Sequence, residues 1–598
     1  MSLAVATPSR AAAGRLGEPA WPAMRHGRRL PGWVAPGLVV ALAGLLRFAG
    51  LGAMRDNSFY DAAVRSMGGS WHAFVTGAID PSAAVAVDKP PVDLWLQVAS
   101  TRLLGFGSLA LHLPEALGGT LAVLALFDLL RVLFGREAAL GGALALAVLP
   151  MAVITSRSDT MDSLMAALVI AAAALAARAA RADRPGLLIG AGAVLGLAFE
   201  VKLFEALVAA PALVLLWWAG SSAARGVRAA ALAGASAAFL VVALAWLIAM
   251  PALAGGQRPW AFGSTNGSAW NATFVYDGID RLTGIPRPPP PVLPAARRPP
   301  TAAQLQRRRH DGAVLAGERA SALRQRPAGP SPWRLFTATD HVAARIGLVL
   351  ALALLALAAA LQVRAGRGFD RLGRAGALAL LVWLGTGIVL FSAQSALKPR
   401  YMEAVDPAIA AVLGVAVVRF CARVTRRSWR LRVPRAQQLV TLAVLAAVLA
   451  APAAVSVAAV AGRAEDAGAP GALGNARLRA LAGYLRAHRH GGHFAVAAIS
   501  VGAAASLIAR TGEPVRVLAA NDARPLISVA GLRRAIARGE VRTVLLGAAC
   551  APLSPDLRTG CSPLATWVRG HGVDVSRAAG QAHAGTVYAF ARARPQRR

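Results

Sequence analysis

Acids, a lysine and aromatics gather between two apolar stretches near the start of this chain: Asp56-Asn57-Ser58-Phe59-Tyr60-Asp61, then Trp71-His72, then Asp88-Lys89-Pro90-Pro91-Val92-Asp93-Leu94-Trp95. A carboxylate can serve as a general base, an ammonium can hold a phosphate, and tryptophans settle at the headgroup level of a bilayer. The combination predicts a reaction centre at a membrane surface acting on a lipid-phosphate substrate. Lys89 is the sharpest local feature, because the prolines after it restrict the backbone and would hold its ammonium in one direction.

Three more clusters sit where other apolar runs end: Arg157-Ser158-Asp159-Thr160-Met161-Asp162, Phe199-Glu200-Val201-Lys202-Leu203-Phe204-Glu205, and Lys398-Pro399-Arg400-Tyr401. Ionisable groups at such positions are uncommon and line a cavity or a pathway by default. Taken together, the four clusters fit a phosphate-binding pocket with a base. Taken singly, Asp56 and Asp61 also read as solvated loop acids, and Lys89 as a snorkelling interfacial lysine. Arg47, inside the first apolar run, either snorkels or faces the same cavity. His72 and His112 are isolated and assigned to no metal, and Cys421, Cys550 and Cys561 fit no metal-ligand pattern. Asn266-Gly267-Ser268 and Asn271-Ala272-Thr273 match the glycosylation acceptor pattern, which often occurs by chance.

The elements that must position these groups are membrane spans. Hydrophobic residues make up 56% of the 598, and the mean hydropathy is +0.52, beyond what a globular chain needs. The net charge of +35 could suggest nucleic acid. Much of the arginine, however, falls in short clusters between apolar runs, which points to membrane topology and anionic lipid and to no nucleic-acid partner. Runs near 34–54, 110–130, 138–155, 161–180, 186–199, 203–220, 229–251, 342–363, 375–393, 402–421 and 437–461 predict about eleven transmembrane helices. Residues 1–33 form a basic cytoplasmic segment with no signal-peptide cleavage pattern, so the run from Val34 is expected to stay as a span. The arginine asymmetry then places the N-terminus inside and the C-terminus outside, provided that Pro90–Phe106 lies along the outer surface.

Two outer loops follow from this layout, 55–109 and 252–341, the second with a Pro/Arg-rich tract at 286–330 expected to be disordered. The spans occupy 34–461. From 462 to 598 the pattern turns soluble. Apolar runs at Phe494–Ile499, Val515–Ala520, Val541–Leu546 and Thr586–Ala591 alternate with helical patterns, predicting a small extracytoplasmic α/β domain with a largely parallel sheet. No GxGxxG occurs there, so no nucleotide site is inferred.

These residues resemble the GT-C class of membrane glycosyltransferases, in particular family 39, which holds protein O-mannosyltransferases and lipid A aminoarabinose transferases. The likeness covers roughly 34–460 and is strongest at Asp56–Tyr60, Asp88-Lys89-Pro90-Pro91, Arg131-Val132-Leu133-Phe134-Gly135-Arg136 and Ser156–Asp162. Ala62-Ala63-Val64-Arg65-Ser66-Met67, Val87-Asp88-Lys89-Pro90-Pro91, Gly263-Ser264-Thr265-Asn266, Asp280-Arg281-Leu282-Thr283-Gly284 and the α/β tail are similar to an actinobacterial mannosyltransferase subgroup. The resemblance implies a catalytic base at Asp56, supported by Tyr60, with Asp162 as the acid of a second loop. It also implies a donor phosphate held by Lys89 and Arg400. Subgroup members often carry Glu where this chain has Ser58, which leaves the base open between Asp56 and Asp61. Lys398 and Lys202 join the phosphate-binding set, and Asp88, Asp159, Arg157 and Tyr401 support it.

The reaction implied moves a mannosyl- or pentosyl-like sugar from a polyprenyl-phosphate donor in the membrane to an extracytoplasmic protein, lipid or cell-wall glycan. No metal ligands are assigned, though the resemblance leaves room for a divalent cation. A transporter or flippase of lipid-linked sugars is the alternative. Transporters, however, show internal repeats and charges near the midplane, and here the charges sit at span ends with no repeat evident. In the tail, Cys550 and Cys561 bound a short loop outside the membrane and are expected to form a disulfide, with Cys421 reduced.

Overall fold

In the computed structural model the described residues are 31–55, 57–253, 258–284, 329–337, 348–353, 369–395, 397–428, 434–466, 475–489, 491–520, 524–546 and 563–591. Asp56, Cys550, Cys561 and most of the expected span 342–363 and of the tract 286–330 lie outside them. The first half is helical: α1 (Val34–Phe48), α2 (Ser58–Gly69), α3 (Trp71–Thr76), α4 (Val92–Leu104), α5 (Ser108–Phe134), α6 (Arg136–Val148), α7 (Pro150–Thr155), α8 (Asp162–Ala182), α9 (Pro185–Lys202), α10 (Ala210–Gly220), α11 (Arg225–Ala243) and α12 (Ala245–Leu253). Long helices follow at Arg371–Ala393, Asp406–Ser428 and Pro434–Ala461.

Among the described residues, seven helical stretches are long and apolar enough to cross a membrane. One of them, Pro185–Gly220, runs 36 residues but is not straight. Leu203 adopts φ 46°, ψ −128°, and a 3-10 turn at Leu203–Ala209 separates α9 from α10. Gly192 of α9 abuts Ala235 of α11, and Gly196 abuts Phe239 and Val242, so α9 and α11 run parallel. The helix between them must therefore run back. The contacts at the ends agree: Lys202 closes α9 onto Asp162 at the start of α8, and Asp183 at the end of α8 accepts from Ser221 (2.6 Å), just past α10. The small residues let the backbones approach, as they do where Gly142 of α6 meets Gly414 of the helix Asp406–Ser428. Helix α4 has 13 residues, about 20 Å, and falls short of a hydrocarbon core of about 30 Å.

A two-stranded parallel ribbon joins the two large loops, with β1 (Val85–Ala86) beside β2 (Trp260–Ala261) in the register Val85↔Trp260. The tail forms a five-stranded sheet of β3 (Val496–Ala498), β4 (Val515–Val517), β5 (Thr543–Leu545), β6 (Val573–Asp574) and β7 (Val587–Ala589), in the order β4-β3-β5-β7-β6. Four strands fall within the four apolar runs; β6, two exposed residues, carries no such signal. The sheet is half parallel: β3 pairs parallel with β4 and β5, while β7 pairs antiparallel with β5 and β6. The tail helix Val501–Thr511 lies on α2, where Arg65 donates to the Ala509 carbonyl at 3.2 Å.

Candidate active site

The loops converge on one cavity of about 230 Å³. Asn57 caps α2, accepting from the Phe59 backbone at 3.3 Å, and this places Phe59 and Tyr60 in the cavity wall. The ribbon delivers Asp88 and Lys89 from β1 and Phe262 from just past β2. Helix α9 ends on Lys202, with Leu203 and Glu205 following. Tyr276 and Asp277 lie on the helical turns of Ala272–Ile279, and Arg281 on the next turn. Pro399 opens a 3-10 turn whose fixed φ sets Arg400 and Tyr401, with Lys398 just before it.

All four residues expected to hold phosphate, Lys89, Lys202, Lys398 and Arg400, line this cavity, as do Tyr60, Asp88 and Tyr401. Four stretches separated by up to about three hundred residues thus meet. The lining counts five cationic side chains, with Arg281, against three acidic ones, Asp88, Glu205 and Asp277. Lys89 bonds Asp88 (3.1 Å) and Tyr60 Oη (3.4 Å). Burial alone would lower the Lys89 ammonium, but Asp88 and Tyr60 outweigh it and raise it well above the ordinary lysine value. Burial, then Arg400 and Arg281, bring Lys398 down to about 8, and burial beside Asp88 pushes Asp277 up to about 6 although Arg281 bonds it at 2.6 Å.

Other expected residues lie outside the lining. Asp162 stands behind the wall as the ion-pair partner of Lys202. Asp61 and Asp159 are buried and do not line the cavity. A cation at a span end suggests a phosphate, which is the expectation for Arg157. Instead it turns onto the end of α1, donating to the carbonyls of Leu46 (3.2 Å), Arg47 (3.2 Å) and Ala49 (2.6 Å), which α1 leaves unpaired. Arg47 is buried as well, bonded to Ser156 (3.1 Å) and to the Ala147 carbonyl (3.1 Å). Among the described residues no three His, Cys, Asp or Glu side chains converge on a metal-sized site.

Several residues escaped the sequence reading. Asp277 and Arg281, the latter noted only as part of a family-like stretch, carry the opposite-charge i,i+4 spacing that marks one helical face. Glu115 accepts from the Ser163 (2.7 Å) and Leu164 (3.3 Å) backbones, capping α8 and so aiming Asp162. Asp466 lies five residues past the last span. It accepts from Arg400 Nη1 at 2.9 Å and from the Arg400 backbone at 3.2 Å, while its own N–H donates to Ser158 at 2.8 Å. Beside it, Glu465 accepts from the Arg55 backbone at 2.9 Å. Nothing in the local sequence marks either acid.

The bundle, its two long loops and the polar cavity beneath them form the fold of the GT-C membrane glycosyltransferases, as solved structures show. ArnT from Cupriavidus metallidurans bound to undecaprenyl phosphate superposes with a TM-score of 0.52 at 17% identity, covering 94% of this chain and 98% of that one. The oligosaccharyltransferase AglB from Archaeoglobus fulgidus, in complex with an inhibitory peptide and a dolichol-phosphate, gives 0.50 at 13% identity over 86% and 69%. Residues 88–248 match the family described as dolichyl-phosphate-mannose-protein mannosyltransferase, and residues 481–571 match one described as "Putative mannosyltransferase YkcB-like, C-terminal". Two Bacillus subtilis (strain 168) proteins, "Putative mannosyltransferase YycA" and "Putative mannosyltransferase YkcB", are each 32% identical over 228 residues, 38% of this chain. The match spans about a third of the length of these curated relatives, 33% and 32% respectively.

Proposed function

We propose that this chain is a membrane glycosyltransferase that moves a mannosyl- or pentosyl-like sugar from a polyprenyl-phosphate donor to an acceptor outside the cytoplasm. The observation that carries this reading is the convergence of Lys89, Lys202, Arg281, Lys398 and Arg400 on one cavity beside the membrane-spanning helices. In the reaction a carboxylate takes the proton from an acceptor hydroxyl, whose oxygen attacks the anomeric carbon. The bond from that carbon to the phosphate oxygen breaks, and its electron pair leaves with the lipid phosphate. Cations already in place stabilise that charge as it develops. The base is Asp56, whose chain neighbour Asn57 lines the cavity; of the acids that line it, Glu205 is the one with no ion pair among the described residues. Arginine placement supports a cytoplasmic N-terminus, and the packing of the tail on α2 supports a tail on the cavity side.

The test is transfer of labelled mannose from undecaprenyl-phosphate mannose by the purified chain in detergent, with a membrane-envelope extract as acceptor. Labelled product with release of undecaprenyl phosphate is expected. Movement of the labelled lipid across a vesicle wall without any transfer would overturn the reading in favour of a transporter.

Asp466 occupies the guanidinium that the donor phosphate needs, so Asp466→Asn should tighten binding of undecaprenyl phosphate by about 5- to 30-fold, roughly 1–2 kcal/mol. Calorimetric titration in detergent checks this. An unchanged or weaker affinity would mean that the acid does not compete with the phosphate.

A further inference from the structure

A second cavity, of about 520 Å³, opens on the other side of the β1–β2 ribbon. Both strands run in the same direction, from this cavity to the first: Ala84 and Trp260 line the second, and Asp88 and Phe262 line the first. Asp88 lies four positions past Ala84, about 13 Å of extended chain. One short ribbon therefore joins the two chambers.

The walls of this second cavity are built, not loose. Asp80 holds the turn before β1, accepting from the Ala84 and Val85 backbones at 3.0 Å each, with Ala83 at φ 50° between them. Across from it, Asn266 Oδ1 accepts from the Ser268 backbone (2.9 Å), Ser268 Oγ accepts from the Trp270 backbone (3.2 Å), and Ser264 Oγ accepts from the Gly267 backbone (3.0 Å). Gly267, at φ 81°, lies against the Trp260 ring so closely that a Cβ would meet the indole at 2.9 Å. The tail domain contributes to one edge of the chamber: Leu526 lines it, and Arg524 stands 5.0 Å from the Trp260 ring centre.

The chemistry of the lining selects among ligands. Trp270 stacks on Phe274 (5.6 Å, 19°) yet keeps 41% of its surface exposed, leaving apolar aromatic area for a partner. Asn266 and Arg258 are both exposed in the lining, and the amide nitrogen of Asn266 makes no hydrogen bond among the described residues. An exposed indole in the same lining as amide and guanidinium donors matches a sugar, which offers C–H faces to stack and hydroxyls to accept. Lining acids, which would suit a basic peptide, do not occur among the described residues.

We propose that this chamber binds the saccharide acceptor, holding an oligosaccharide with one end on Trp270 and the other reaching along the ribbon to the donor cavity. The proposal rests on the glycosyltransferase reading and narrows its acceptor to a glycan. It also gives the α/β tail a task, to complete the acceptor site.

Saturation-transfer NMR on the full chain in detergent tests it, with manno-, arabino-, galacto- and N-acetylglucosamine oligosaccharides of one to six residues as probes. At least one series should bind and tighten with length up to a few residues. Trp270→Ala should weaken that binding by about 10-fold, with Asn266→Ala a smaller loss and Trp270→Phe a partial rescue. A Trp270→Ala chain that fails to fold, seen in its thermal unfolding, leaves Asn266→Ala and Trp270→Phe to decide. Undecaprenyl phosphate, titrated in parallel, separates the two readings. If the chain binds the lipid phosphate but no saccharide, or binds saccharides unaffected by any of these variants, the acceptor site is overturned and the donor reading stands. If it does not bind the lipid phosphate, the donor reading falls. Competition at this chamber by an acceptor peptide or by phospholipid vesicles, and not by saccharides, would reassign it and also overturn the proposal.

Discussion

Asp56→Asn is expected to lower sugar transfer by about 10²- to 10⁴-fold while undecaprenyl phosphate still binds. A general base contributes that much in the transition state and little in the ground state. The loss should fall on kcat, with the donor dissociation constant nearly unchanged. Single-turnover transfer of labelled sugar reads the first and titration the second. Glu205→Gln is the control from the described wall, because Glu205 has no cation bonded to it among the described residues. Transfer lost in Glu205→Gln and kept in Asp56→Asn would move the base to Glu205. Asp61, the other acid left open by the sequence, is buried outside the lining, so Asp61→Asn should act on folding more than on kcat.

Lys89→Ala and Arg400→Ala are each expected to weaken lipid-phosphate binding by about 10- to 150-fold, the loss of one charge-assisted contact of roughly 1.5–3 kcal/mol. Lys89→Arg should recover only part of this. A forked guanidinium does not reproduce a compact ammonium held at 3.1 Å from Asp88 and ahead of two prolines. Wild-type affinity in both alanine variants would place the phosphate elsewhere, with Arg281 and Lys202 the next to replace.

Much of the first cavity was legible because charges stand out against apolar sequence. Lys89, Lys202, Lys398 and Arg400 could each be singled out before any was known to meet the others. Asp277 and Arg281 were not assigned to the site, since one opposite-charge pair at helical spacing does not by itself say which cavity it faces. Arg157 was misplaced for a different reason: its partners are backbone carbonyls at the end of α1, and no residue type announces an unpaired carbonyl. The span pattern carried the fold class, while the reversal at Leu203 had only a change of charge to mark it. In the tail, apolar runs located β3, β4, β5 and β7, but strand direction depends on the connections, and the antiparallel edge was not readable from composition.

The cations that line the first cavity bear on turnover. On the proposed reaction the donor is a phosphodiester with one negative charge, whereas the lipid product is a monoester that carries more. The more highly charged product is therefore expected to bind the lining cations more firmly than the donor does, although Lys202 and Arg400 are already paired with Asp162 and Asp466. On that reaction, added undecaprenyl phosphate is expected to inhibit transfer, which a product-inhibition assay checks. Asp466, poised at Arg400 on the segment that leads into the tail, is placed to return to the guanidinium and help expel the product.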